Sequence, residues 1–179
     1  HQIQGVWLMH GTEPLLEQNL LSDLRKYWEQ QGIERQRFEL QNVNDWKQIF
    51  SALNSLSLFS QQLAIEVHGN IKPDAQGLKQ LKAFLQDPQD NVLVIVFPKQ
   101  ESQSLKSAFF QTIEANGTLI QLTAHNLQDQ RRILMLEAEK MQVKLTEEAW
   151  KWLLFHHENN LLSARNSLMN VADSYADLD

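Results

Sequence analysis

The sequence contains no cysteine, and this absence excludes several kinds of chemistry. Without thiols the chain can form neither a disulfide framework nor a thiolate metal site, and it has no thiol nucleophile. A cysteine-free chain suits the reducing cytosol, so we expect a cytoplasmic protein. The sequence starts at His1 without a basic stretch and an apolar core, so we expect no signal peptide and a fragment of a longer protein.

Long apolar runs and an excess of positive charge are also lacking. The longest apolar run, Val92–Phe97, is far shorter than the roughly 18–20 residues of a membrane span, so no membrane contact is expected. Acidic residues outnumber basic ones by 22 to 16, and the net charge of -6 would repel phosphate unless basic residues shared one face. The isolated pairs Arg131–Arg132 and Arg35 with Arg37 are typical of solvated surface rather than of a DNA-binding face.

The first two-thirds of the chain alternates strand-like and helix-like segments, which is the pattern of an α/β domain. The unbroken apolar run Val92–Phe97 predicts a strand that is buried on both faces and central in a parallel sheet. We predict strands at residues 5–11, 35–40, 62–67, 91–97 and 118–122, and helices at residues 14–31, 44–54, 74–86 and 104–115.

The pattern changes after Leu122, where no further strand is predicted and three helices follow, at about 127–141, 146–156 and 160–175. Thr146 predicts a helix start, because its hydroxyl can cap the helix while Glu147 and Glu148 face the positive end of the helix dipole. We therefore predict an α/β domain at residues 1–124 and a small helical domain at residues 125–179.

A strand, a glycine turn and a helix at the amino end invite comparison with phosphate-binding loops. The comparison fails, because His10–Glu17 has no second glycine and no lysine, and because Glu13 places an acid where phosphate would lie. The magnesium-holding acid of such enzymes follows a buried strand, but Val92–Phe97 is followed by a proline and a lysine. Glu66, inside another strand, is interpreted as an outward-facing glutamate. We expect no ATP hydrolysis and no bound cofactor.

His156, His157 and Glu158 form the densest group of potential metal ligands. Adjacent histidines point to different faces of a helix, and the His-Glu-x-x-His spacing is missing. No Gly-x-Ser-x-Gly nucleophile motif occurs in the sequence. We expect solvated or helix-capping roles for these residues, and neither a metal site nor catalytic residues.

Leu56, Leu58 and Phe59 lie between serines in the segment that joins a predicted helix to a predicted strand. Such a cluster is more often part of a core, because exposed aromatic side chains are uncommon. It can also be a hydrophobic wedge, an exposed apolar group on a loop or short helix that fills a pocket on a partner protein. Sequence periodicity leaves both interpretations open.

In their order and spacing, several segments resemble the delta-subunit family of bacterial DNA polymerase III over essentially the whole chain. They are Leu8–Gln18, Asp45–Trp46 ahead of Ser55–Ser60, Val92–Val96, Ser107–Phe110 and Glu158–Leu162. The resemblance implies a clamp-loader subunit of the polymerase holoenzyme, with a parallel-sheet AAA+ type domain, a degenerate nucleotide loop and no ATP site. It also implies a small all-α second domain, followed by a helical collar domain beyond Asp179 that is absent from this fragment.

The resemblance also implies a role for the serine-flanked cluster. In that family the pair matching Leu58 and Phe59 inserts into a hydrophobic pocket on the beta sliding clamp, with the residue matching Leu56 beside it, and the grip opens the ring. The implied partners are the beta sliding clamp, other loader subunits mainly through the collar domain, and DNA within the assembled loader.

Two other functions remain open. The strand, Gly11 and helix arrangement is compatible with a nucleotide-binding AAA+ relative. The second alternative is an adaptor that binds other loader subunits through its sheet edge or its helices. In that case Leu58 and Phe59 would be buried as core. The residues that depart from the family pattern lie in the second domain, and they are Ile133, Glu137, Glu139 and Met169.

Overall fold

A computed structural model of the chain describes residues 3–55 and 62–176. The chain divides into two compact units. The first is made of His1–Thr12 and Asn19–Leu122, and the second of Glu13–Gln18 and Thr123–Asp179. The domains at residues 1–124 and 125–179 stay a prediction, because compactness does not test whether each part folds by itself.

Within the described residues, the first unit contains a five-stranded sheet whose pairings are all parallel. Its strands are β1 (Gly5–Gly11), β2 (Glu34–Glu39), β3 (Leu63–His68), β4 (Val92–Pro98) and β5 (Thr118–Leu122). They lie in the order β2-β3-β4-β1-β5. β4 is therefore the middle strand, which confirms the prediction drawn from its unbroken apolar run.

The register brings the beginnings of the strands to one edge of the sheet. Val92 of β4 pairs with Ala64 of β3 on one side and with Gly5 of β1 on the other. Since parallel strands all run the same way, their first residues define an amino edge and their last residues a carboxyl edge. A loop that precedes a strand meets the sheet at the amino edge, and a loop that follows a strand leaves it at the carboxyl edge.

Five helices accompany this sheet in the described residues. They are α1 (Pro14–Gln30), whose first residues belong to the second unit, α2 (Asp45–Ser55), α3 (Ala75–Gln86), α4 (Ser102–Leu105) and α5 (Ala108–Asn116). α2, α3 and α5 share one core with alternate strand residues such as Leu8, Ile65 and Ile95. Residues between these, such as Glu66, face the opposite side of the sheet.

α2 and α3 show how the sequence specifies this layer. The apolar residues of α2 recur at steps of three and four, and Trp46, Ile49, Phe50 and Leu53 are all buried. Asp74 begins α3, because its Oδ1 accepts the N–H of Gly77 at 2.8 Å. The spacing and the cap together orient both helices with their apolar faces on the sheet.

The helix predicted at residues 104–115 is wrong as a single element, because two helices occupy this stretch. α4 ends at Leu105 and α5 begins at Ala108. Between them Ser107 has an extended backbone, with φ -67° and ψ 155°, and its carbonyl accepts the N–H of Gln111 at 3.0 Å. Serine is a common residue immediately before the first residue of a helix. The apolar spacing continues across Ser107, so it did not reveal the break between α4 and α5.

The second unit is helical and contains α6 (Leu127–Lys140), α7 (Glu147–His156) and α8 (Leu161–Ala176). Thr146 caps α7 as predicted, because its Oγ1 accepts the N–H of Ala149 at 3.2 Å. Asn126 caps α6 in the same way through the N–H of Asp129 at 2.9 Å. Leu15 of α1 is buried in the core of this unit. None of the helices in the described part of the chain has the length and apolarity of a membrane span.

Candidate partner-binding site

The residues predicted to form the wedge, Leu56, Leu58 and Phe59, lie outside the described residues. The structure does place the two ends of the segment that carries them, because α2 ends at Ser55 and β3 begins at Leu63. The choice between an exposed wedge and a buried core cluster therefore stays open, and the assignment of these three residues stays a prediction.

Both ends of this segment emerge from packed core. Leu53, in the last turn of α2, and Leu63, at the start of β3, are both buried in the same core. Ser55 Oγ donates a hydrogen bond to the carbonyl of Ala52 at 3.1 Å in the last turn of α2. Since Leu63 begins a strand, this end of the segment lies at the amino edge of the sheet.

Asn91 is a site residue that the sequence analysis did not single out. It is buried, with 3% of its surface exposed, and its side chain reaches both ends of the segment. Its Oδ1 accepts the N–H of Leu63 at 2.9 Å, and its Nδ2 lies 3.5 Å from the carbonyl oxygen of Leu53. The available sequence signal is a single amide side chain immediately before the most apolar strand of the chain.

The turn after β1 lies at the opposite, carboxyl edge of the sheet. A Cβ atom on Gly11 would lie 2.0 Å from the carbonyl oxygen of Leu122, and φ of Gly11 is +149°. Only glycine allows both this approach and this conformation. The N–H of Thr12 donates to the same carbonyl at 3.0 Å. Glycine at position 11 therefore allows β1 to lie close to the end of β5.

Glu13 places a carboxylate at the start of α1, and in nucleotide-binding loops a helix start of this kind holds phosphate. Glu13 Oε1 accepts the N–H of Leu15 at 3.1 Å, so one of the free amides of this helix end already has an acceptor. Burial raises the pKa of Glu13, and the hydrogen bond from Leu15 opposes that effect. A carboxylate here competes with a phosphate for the amide and repels it.

The interpretation of Glu66 as an outward-facing glutamate is wrong. Its side chain is buried, with 1% exposed, because β3 is an interior strand whose two faces are both covered. Arg25 of α1 donates to both carboxylate oxygens, with Nε at 3.1 Å from Oε2 and Nη2 on Oε1. His68 Nε2 lies 2.6 Å from Oε1.

The electrostatics of Glu66 follow from these two partners. Burial by itself would raise the pKa of Glu66, but the hydrogen bonds from His68 and Arg25 outweigh that effect and lower the pKa to about 2. The carboxylate is therefore charged and fully occupied within the protein. It holds α1 to the sheet and offers no free oxygen pair to a metal ion.

The remaining candidate groups are occupied by neighbouring side chains. His157 Nε2 lies 3.0 Å from Ser167 Oγ, whereas the ring of His156 packs on Trp152 with centroids 4.3 Å apart. The two histidines thus point to different neighbours, as predicted. Among residues 3–55 and 62–176 there is no group of three or more side chains placed to hold a metal ion. Arg131 pairs with Glu147 at 2.6 Å.

Comparison with known proteins gives the family of this chain. The model of the family described as DNA polymerase III, delta subunit, matches residues 7–123. The chain belongs to this family. The match covers the whole of the sheet except its first two residues, together with the segment that carries Leu58 and Phe59.

Two curated relatives agree with this assignment. The DNA polymerase III subunit delta of Escherichia coli (strain K12) is 26% identical over 174 residues, which cover 95% of this chain and 50% of the relative. The subunit of the same name from Haemophilus influenzae (strain ATCC 51907 / DSM 11121 / KW20 / Rd) is 26% identical over 187 residues, covering 99% of this chain and 54% of the relative. The chain thus spans about half the length of these relatives.

Solved structures share the fold at low sequence identity. The Bacillus subtilis DNA clamp loader delta protein matches with a TM-score of 0.69 at 15% identity, over 98% of this chain and 55% of that protein. A Thermotoga maritima RuvB variant matches with a TM-score of 0.52 at 14% identity, over 99% of this chain and 57% of that protein. The AAA+ type fold implied by the family resemblance is thereby confirmed.

We predict that Glu66→Gln destabilises the protein at neutral pH by about 2–3 kcal/mol, because Arg25 loses its charged partner. The folded-state pKa of Glu66, about 2, is below its ordinary value of 4.5. The stabilisation is therefore complete above about pH 5 and is lost as the pH falls towards 2. Urea unfolding at several pH values should show the wild type and the variant converging in acid.

The matched control for this prediction is Glu39→Gln. Glu39 also pairs with an arginine, Arg37 at 2.6 Å, but on the exposed edge strand β2. Exposed pairs contribute little, so this change should alter stability by about 0.5 kcal/mol or less. Equal effects of the two substitutions, or a wild-type advantage that persists at pH 2, would contradict the role given to burial.

We also predict that ATP with magnesium shows no saturable binding to this chain in a calorimetric titration. There are two reasons. Glu13 already accepts the N–H of Leu15 at the start of α1, and residues His10–Glu17 include no lysine to bind phosphate. Glu13→Ala should not bind either, because removal of the carboxylate does not supply the missing lysine. A micromolar Kd for the wild type would support the nucleotide-binding alternative.

Proposed function

We propose that this chain is a non-catalytic clamp-loader subunit that binds the beta sliding clamp through Leu56, Leu58 and Phe59 and opens the ring for loading onto DNA during replication. The observation that carries the proposal is the Ser55–Ser60 sequence, with its adjacent leucine and phenylalanine between serines, in a member of the delta family. The fold shared with a protein described as a clamp loader delta supports the proposal.

A hydrophobic wedge of two residues can supply enough free energy to bind the clamp. Burial of Leu58 and Phe59 in a pocket would contribute roughly 1.5–3 kcal/mol each. Truncation of a central aromatic anchor often costs about 2 kcal/mol or more. A small patch with two such anchors can therefore account for most of the binding, and the surrounding polar contacts supply complementarity.

The placement of the segment's ends supports a partner-binding role. Leu53 and Leu63 are fixed in one core, so the chain between them starts and finishes at points that hardly move relative to each other. Fixed chain ends lower the entropy cost of binding a partner through the residues between them. The ends lie at the amino edge of the sheet, away from the turn at Gly11.

Opening of the ring requires a thermodynamic preference. A subunit can open a closed ring only to the extent that it binds the open form better than the closed form. The contact made by Leu58 and Phe59 must therefore gain strength as the clamp interface distorts. No nucleotide chemistry is needed in this chain for that step, which agrees with the carboxylate of Glu13 at the α1 start.

The remaining partners belong to the same proposal. Other loader subunits would bind mainly through a collar domain beyond this chain, and DNA would be met within the assembled loader. The net charge of -6 accords with a chain that does not hold DNA by itself.

We predict that Phe59→Ala weakens binding to purified beta sliding clamp by about 30-fold or more, which corresponds to about 2 kcal/mol. Leu58→Ala should have a similar effect. Affinity is measured by surface plasmon resonance, and urea unfolding measures stability in parallel. If the pair were core instead, the substitutions would lower stability by about 2–5 kcal/mol and leave the affinity of the folded protein unchanged.

Phe155→Ala is the matched control for these substitutions. Phe155 lies on α7 and is 77% exposed, so we expect its truncation to cost little stability. Its loss should change clamp affinity by less than about twofold. An equal loss of affinity in Phe59→Ala and Phe155→Ala would indicate nonspecific apolar adhesion rather than a wedge.

We predict that the chain binds a clamp variant kept monomeric by interface mutations at least about tenfold more tightly than the closed ring. The ring must be distorted before the best contact forms, whereas a monomer carries no such cost. Titrations of the chain against both clamp forms under one set of conditions measure the difference. Equal affinities would leave ring opening without a source of free energy.

A further inference from the structure

Asn91 connects three elements at the amino edge of the sheet. Its side chain accepts the N–H of Leu63, the first residue of β3, at 2.9 Å. The same side chain places Nδ2 3.5 Å from the carbonyl of Leu53, in the last turn of α2. Its main-chain carbonyl accepts the N–H of Gly5, the first residue of β1, at 2.9 Å. One amide group therefore links the last turn of α2 to the start of β3.

The position of Asn91 is itself fixed by a tight turn. Its N–H donates to the carbonyl of Pro88 at 2.8 Å. Gln89 and Asp90, between them, adopt left-handed conformations with φ of 49° and 66°. Non-glycine residues adopt such values at a cost, which a structure accepts where the turn must aim a neighbouring group. The turn and the bond to Gly5 together hold the Asn91 side chain in place.

We propose that Asn91 is a positioning residue for the clamp-binding segment, one that fixes the separation and direction of the two chain ends from which Leu56, Leu58 and Phe59 are presented. This inference rests on the proposed clamp-binding function. Asn91 acts through the ends of the segment, and it makes no contact with the clamp itself.

The chemistry of the position requires an amide. The Asn91 side chain gives the Leu63 N–H an acceptor and offers the Leu53 carbonyl a donor, and an asparagine supplies both from one planar group. Aspartate retains the acceptor but lacks the donor, and alanine lacks both. Because the site is buried, each unmade bond leaves a polar group without water, so the two ends separate until solvent reaches them.

The test measures clamp affinity and local opening for the same variants. Asn91→Ala should weaken clamp binding about fivefold to tenfold, the effect of one or two lost hydrogen bonds. Amide hydrogen exchange at Leu63 should accelerate at least tenfold in this variant, while Ile65 and Val67 in the same strand stay protected. Asn91→Asp retains the acceptor for Leu63 and should bind with intermediate affinity. This second variant can be measured if Asn91→Ala does not fold.

A double-mutant cycle separates positioning from general destabilisation. When Leu58→Ala and Phe59→Ala together have already removed both anchors, adding Asn91→Ala should cause no further loss of affinity, because no anchor is left to position. A full additional loss would overturn the inference. The control is Asn116→Ala, which removes a bond from an exposed asparagine to the Thr112 carbonyl at 3.2 Å in α5 and should leave affinity unchanged.

The outcomes distinguish this inference from the function on which it rests. If the wild type binds the clamp, Phe59→Ala does not, and Asn91→Ala binds as the wild type does, the positioning role is wrong and the proposed function stands. If the wild type does not bind the clamp, the proposed function is wrong and the positioning role fails with it. Unchanged exchange at Leu63 in Asn91→Ala would overturn the role independently of any clamp measurement.

Discussion

The parallel pairing of the strands is the constraint on which the rest of this structure depends. Because all the described strands run in one direction, a loop that precedes a strand and a loop that follows one lie at opposite edges of the sheet. The segment before β3 is thereby separated from the turn after β1, where related folds carry nucleotide chemistry. The residues proposed to bind the clamp and the turn that would bind a nucleotide therefore belong to opposite edges, which share only the core.

Two carboxylates of the chain, Glu66 and Glu13, are held by hydrogen bonds within the protein. Glu66 is charged inside the sheet, yet Arg25 and His68 occupy its oxygens, so it contributes to the attachment of α1 and has no capacity left for a ligand. Glu13 is similarly directed inward, onto the N–H of Leu15. Both carboxylates occur where a reader of the sequence would look for catalytic groups. Their hydrogen bonds give each of them a structural explanation.

Much of the fold could be predicted from the sequence, because local signals and tertiary packing agree. The apolar run of β4 and the capping residue Thr146 each predicted an element that the structure contains. The helix break at Ser107 is a local failure, whereas the missed side-chain roles share one physical origin, which is that the partner of each side chain lies far away in sequence. Glu66 meets Arg25 across 41 positions, and Asn91 meets Leu63 across 28, and no periodicity encodes such pairs. The role proposed for Leu58 and Phe59 came from family resemblance, because residue spacing did not distinguish a hydrophobic wedge from a buried core cluster.

Under the proposed function, mechanical stiffness is the property of the fold on which ring opening would depend. Binding free energy can distort a clamp only if the binding protein resists distortion more strongly than the clamp interface does, because strain collects in the softer partner. A segment tethered at one end would bend on contact and leave the ring closed. Here both ends originate in one close-packed core, and Asn91 ties them to each other and to β1. Under the proposed function, a stiff subunit that prefers the open ring would need only its own differential affinity to open it.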